Sequence, residues 1–105
     1  ISKKDKIIAY GASARSSTLL NYCKLTNHEI DYIIDQNPIK YDKFSPGSDI
    51  KIIKPSQGAR ILKKRKNLLL LAWNFKKEIL KFLKKNNFKG KIIQPLPNKL
   101  KIINL

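Results

Sequence analysis

At 105 residues the chain suits one compact domain, and no stretch approaches the ~20 apolar residues of a membrane-spanning helix. Its 23 Lys and Arg against 7 Asp and Glu give a net charge of +16. The excess is mostly Lys, spread along the chain in company with Ile and Asn, which is the bias an AT-rich genome writes into tolerant surface positions and argues against a dedicated nucleic-acid site.

In chain order, Lys6-Ile7-Ile8-Ala9-Tyr10-Gly11 is a short apolar run ended by Gly, the pattern of a buried strand. A small, polar turn follows, and then Leu19, Leu20 and Cys23 recur at helical spacing, with Ser16 or Ser17 able to cap the helix start. The single cysteine, Cys23, reads as a small buried hydrophobe on that helix and fits a reduced, cytoplasmic setting. The single histidine, His28, falls in an exposed turn, so neither a Cys/His metal site nor a Ser-His-Asp triad is expected. Ile30–Asp35 reads as a second strand closed by Gln36-Asn37-Pro38, and Ile39–Asp49 is irregular, with a strong turn at Ser45-Pro46-Gly47-Ser48. Ile50–Lys54 is a short third strand, and Pro55-Ser56 opens a helix to about Lys64 with Ser56 as its cap. Asn67–Trp73 is the most apolar segment and predicts a central strand buried on both faces. From Phe75 to about Asn86, Phe75, Ile79, Phe82 and Leu83 form one stripe opposite a lysine face, with Asn74 as cap and Gly90 just past the end. Lys91–Pro95 is a further strand, and Leu100–Leu105 adds an edge. This order predicts an α/β, Rossmann-like, three-layer αβα domain around a mainly parallel sheet.

Ligands of such sheets bind beyond the carboxyl ends of the strands, where a helix start offers unpaired N–H groups and the positive end of its dipole. Here Gly11 permits a tight turn, Ser13, Ser16 and Ser17 supply donors, and Arg15 supplies a fixed cation suited to phosphate. Asp35 ends the second strand, where dinucleotide-binding folds keep an acid for ribose hydroxyls. Of the three glycines in a dinucleotide fingerprint only Gly11 is present, with Ser13 and Ser16 at the other two positions, so the turn suits an anion better than a flat-lying dinucleotide.

The block from Tyr10 to Cys23 resembles the opening of the C-terminal domain of sugar C-methyltransferases, and the likeness continues through Ile30–Pro38, Ser45-Pro46-Gly47 and Leu71–Phe75. The family more often has Pro at Ser13, Lys at Arg15, Gly at Ser16 and Arg at Gln36. The resemblance implies a domain excised from a longer chain, consistent with an opening Ile1 that lacks both Met and a targeting leader. In that family an upstream part of the polypeptide binds zinc and S-adenosylmethionine and holds the catalytic base. A proton is removed beside a keto group, and the enolate takes the donor's methyl. The present chain then holds no catalytic residue, metal or cofactor, packs against the upstream methyltransferase domain and helps enclose the nucleotide-sugar. The resemblance implies that Gly11 to Ser17 face the diphosphate or sugar, that Asp35, Asn37 and Lys40 lie near ribose or base, and that Trp73 and Asn74 end the central strand on the ligand side. Tyr41 and Phe44 in the long loop either stack on a base or only pin the loop to the core, and the second reading is favoured. A stand-alone nucleotide or sugar-phosphate binding module and a basic nucleic-acid-binding domain are the alternative readings.

Overall fold

The computed structural model describes residues 7–71, 76–96 and 99–104. Ile7–Tyr10 forms β1, Ala14–Tyr22 α1, Ile30–Ile34 β2, Lys51–Ile53 β3, Pro55–Leu62 α2, Asn67–Leu70 β4, Lys76–Lys85 α3, Lys91–Leu96 β5 and Lys99–Asn104 β6. A single 3-10 turn, Pro38–Lys40, follows β2.

The strands form one sheet in the order β3-β2-β1-β4-β5-β6, and all neighbours are parallel except the β5–β6 hairpin. The chain therefore leaves β1 toward one edge, returns through α2, and builds toward the other edge from β4. That reversal, between β1 and β4, is the crevice at which doubly wound sheets bind ligands.

Alternation along the strands splits the core between the two faces of the sheet. Ile8, Tyr10, Leu68 and Leu70 pack with Leu62 of α2 and with Ile79 and Leu83 of α3. Ile7, Ala9 and Leu69 pack with Leu20 of α1. Helices thus cover both faces, giving the expected three layers. Strand β4 is buried on both faces, as its Leu run predicts.

Several boundaries depart from expectation for local reasons. The N-cap of α1 is Ser13, not Ser16 or Ser17; its extended backbone lets Oγ accept from the Ser16 N–H at 3.1 Å. Helix α2 is preceded by Lys54 without a side-chain cap, because an ammonium has no acceptor to offer the first-turn N–H groups, and Pro55 at the first helical position sets the helical φ instead. Ser56 is therefore inside the helix. Cys23 is exposed rather than buried: α1 ends at Tyr22, and the chain turns away through left-handed Lys24 (φ 57). His28 is exposed, as its turn predicts. The expected inward residue Phe75 and the expected cap Asn74 lie outside the described residues, as do Trp73 and Leu105.

At the amino end of β5 the chain passes close beneath the turn that feeds β4. The Lys91 N–H donates to the Lys66 carbonyl at 2.8 Å, and a Cβ on Gly90 would collide with that same oxygen. A backbone carbonyl held in a hydrogen bond cannot step aside as a flexible side chain can. Gly90→Ala should therefore lower stability by about 1–3 kcal/mol, read from the midpoint of chemical denaturation; an unchanged midpoint would show slack in this turn.

Candidate functional site

The sheet's carboxyl edge is held by backbone bonds that continue the ladders past the strand ends. Gly11 N–H donates to Ile34 O at 2.8 Å, Asp35 N–H to Ile53 O at 3.1 Å, and Leu71 N–H to Tyr10 O at 2.9 Å. At Gly11 the backbone turns through φ 105, a conformation that a Cβ opposes. The next residue, Ala12, is gripped at both of its polar groups. Its N–H donates to Asp35 Oδ2 at 2.7 Å, and its carbonyl accepts from the Lys40 ammonium. The other Asp35 oxygen, Oδ1, accepts from the Asn37 N–H at 2.8 Å, and Asn37 Oδ1 in turn accepts from Ile39 N–H at 3.2 Å, capping the 3-10 turn.

These contacts shape a cleft of about 380 Å³ walled by Gly11, Ala12, Ser13, Asp35, Asn37 and Lys40, with Tyr10, Gln36 and Ile79 completing it. The volume lies within the ~300–1,000 Å³ typical of small-molecule sites. Five of the sequence-derived residues (Gly11, Ser13, Asp35, Asn37 and Lys40) meet here. Ser16 and Ser17 line a second cleft on the α1 face, which shares Ala12, Ser13 and Lys40 with the first. Ser16 is buried, its Oγ 3.0 Å from Ser13 Oγ. The Arg15 side chain, Trp73 and Asn74 lie outside the described residues. Phe44 is a correction: it does not pin its loop to the core but stands 56% exposed, because backbone bonds to either side hold the loop instead. Tyr41 is half-buried.

Four residues of the first cleft, Tyr10, Ala12, Gln36 and Ile79, were absent from the sequence-derived set. Tyr10 and Gln36 follow from geometry: the last residue of β1 and the second residue past β2 both stand at the carboxyl edge, and Gln36 Nε2 donates to the Tyr10 hydroxyl at 3.2 Å. Ile79 had been read as core alone, and it walls the cleft as well. Burial pushes the Tyr10 phenol above its ordinary value of 10.0; the Gln36 hydrogen bond opposes the rise, while the charge of Asp35 and nearby Tyr41 add to it. The phenol therefore keeps its proton in neutral solution.

Among the described residues no group of three metal-ligating side chains occurs, and no helix is long and apolar enough to cross a membrane.

Two stability effects follow from this geometry. Asp35→Asn places an amide donor against one of two backbone donors and should cost about 1–3 kcal/mol, measured by urea unfolding. Because the folded chain holds the Tyr10 proton more tightly than the unfolded chain, stability is fully present below pH 10.0 and is lost as pH rises through the raised folded value. The stability lead of the parent over Tyr10→Phe should then shrink between about pH 9 and about pH 11, followed by thermal unfolding; a constant lead would contradict the burial of the phenol.

Comparison with known proteins agrees with this architecture. Among solved structures, UDP-D-quinovosamine 4-dehydrogenase from Vibrio fischeri superposes with a TM-score of 0.67 at 22% identity, covering 96% of this chain and 94% of that one. A Rex-family repressor superposes with a TM-score of 0.65 at 18% identity, over 94% of this chain and 48% of that one. These likenesses establish the Rossmann-like fold. By sequence, the C-methyltransferase NovU of Streptomyces niveus is 37% identical over 95 residues. The match covers 87% of this chain, which spans only 21% of that relative's length. Residues 1–97 match the family model described as the C-methyltransferase C-terminal domain, and the chain belongs to that family.

Proposed function

We propose that this chain is the substrate-side domain of a longer, cytoplasmic, S-adenosylmethionine-dependent C-methyltransferase, and that it binds and encloses a nucleotide-linked keto-deoxysugar. The observation that carries the reading is the convergence of Gly11, Ser13, Asp35, Asn37 and Lys40 on one cleft at the sheet's carboxyl edge, in a chain of this family. The first turn of α1 has N–H groups without intrahelical acceptors, and with Ser13, Lys40 and Arg15 it would face the diphosphate. Asp35 and Asn37 would take the ribose side, where each Asp35 oxygen keeps a lone pair beyond the backbone N–H it already accepts.

S-adenosylmethionine would supply the methyl group from a domain of the same polypeptide outside this chain, as would the base that removes the proton beside the keto group. The role of the present residues is positional. Holding two reactants together in a dry cleft is worth up to ~7–11 kcal/mol of a barrier. Lys40 now donates to the Ala12 carbonyl, so an incoming diphosphate would have to offer it a stronger acceptor, which an anionic oxygen is.

In the whole enzyme, Arg15→Ala should weaken nucleotide-sugar binding roughly tenfold, about the worth of one charge-assisted hydrogen bond, and leave donor binding unchanged by calorimetry. Equal loss of both would point to a folding defect and against the assignment. The isolated chain should fold and show no methyl transfer; turnover by it alone would overturn the division of labour.

A further inference from the structure

On the α1 face the β2–β3 connection carries no long helix, and a second cleft of about 350 Å³ opens between α1 and residues 43–46. Its floor is aliphatic: Leu20, Ile33 and Ile52, all buried. Phe44 forms a wall and is nevertheless 56% exposed, an uncommon state for an aromatic ring on a fixed backbone.

The wall is fixed from several directions. Ile52 N–H donates to Lys43 O at 2.8 Å and Ser45 N–H to Ile50 O at 2.9 Å, so Phe44 sits between two ladder bonds. Buried Ser45 takes the Ile50 N–H at 3.0 Å on its Oγ and contacts the Ser48 hydroxyl. Asn21 of α1 donates to the Pro46 carbonyl at 3.3 Å, and Gly47, at φ 79, leaves no room for a Cβ against Asn21. Such a preformed wall spares a ligand most of the ordering cost of binding.

The polar groups of the cleft all favour an anion. Lys40 and Lys43 line it with the hydroxyls of Ser13, Ser16, Ser17 and Ser45, and among the described residues no acid does. The adjacent Asp42 faces Lys51 at 3.7 Å. A purely apolar occupant would leave the lysines unused, and a bare anion would leave the Phe44 ring wet.

We propose that this cleft is a second ligand site, taking a flat aromatic ring that carries one anionic group, with the ring against Phe44 over the Leu20–Ile33–Ile52 floor and the anion at Lys43 and Lys40. The proposal does not depend on the nucleotide-sugar assignment. The two clefts share Ala12, Ser13 and Lys40, so a ligand in one borders a ligand in the other.

The test is a heteronuclear NMR titration of the 105-residue chain with phenyl phosphate, and separately with inorganic phosphate and benzyl alcohol. Phenyl phosphate should move the amides of Ser16, Ser17, Phe44 and Ser45 along one saturable curve. Its affinity should be roughly tenfold or more above that of either half, because joining the halves makes the second contact intramolecular. Phe44→Ala should weaken it roughly tenfold. Lys43→Gln, which leaves Lys40 in place, should weaken it roughly tenfold. Both positions are exposed, so unchanged melting temperatures will show that the variants are folded. Shifts confined to Tyr10, Gln36 and Ile79, a response that does not saturate, or equal affinity for phenyl phosphate and inorganic phosphate would each overturn the proposal.

Discussion

In a parallel sheet the loops leaving neighbouring strands emerge side by side, and their backbone groups have no further strand to bond. This chain resolves the problem at one residue. Ala12 gives its N–H to the carboxylate of Asp35 and its carbonyl to the ammonium of Lys40, so both polar groups are held by the loop that follows β2. Asp35 closes the arrangement on its own side by taking the Asn37 N–H. The position of Gly11, the entry of α1 at Ser13 and the setting of the 3-10 turn all depend on that grip. The same residues then form the walls of the cleft.

The second organising feature is what the β2–β3 connection lacks. A helix there would lie beside α1 and fill the layer. A nest of turns covers the sheet instead, with Ile50 and the buried hydroxyls of Ser45 and Ser48 reaching the core. The layer is thereby thinned next to the helix start, and space remains for two neighbouring clefts where a helix–helix contact would leave one. The edge of such a sheet can be shaped by loops without disturbing the strands.

The strands were legible because their Ile and Leu runs are short and end at Gly, Pro or Asp, and the parallel order followed from their alternation with helices. The Rossmann-like outline and the membership of the C-methyltransferase C-terminal family could likewise be read from residues such as Gly11, Asp35 and the Leu run before Ala72. Less legible were choices among chemically equivalent neighbours. Three serines between positions 13 and 17 can all cap a helix, and which one does depends on where Gly11 releases the chain. Pro55 overrode Ser56 because a fixed φ outranks a weak cap. Cys23 was misread since helical spacing says nothing of where the helix stops. Asp35 was found as an acid at a strand end, but its bond to the Ala12 N–H depends on a loop 23 residues away, which no local pattern encodes. Phe44 deceived for a related reason: aromatic rings usually anchor loops, and here hydrogen bonds do so.

The β6 strand has its own consequence. It is the one antiparallel member of the sheet and lies at its margin, where an open row of peptide groups invites another polypeptide to add itself. Ile102 there is exposed, but Lys101 beside it is also exposed, and the molecule as a whole is strongly cationic. Two copies approaching margin to margin repel one another before their amides can meet. The surplus of lysine thus acts against edge-to-edge pairing, an effect that concentrated salt would weaken.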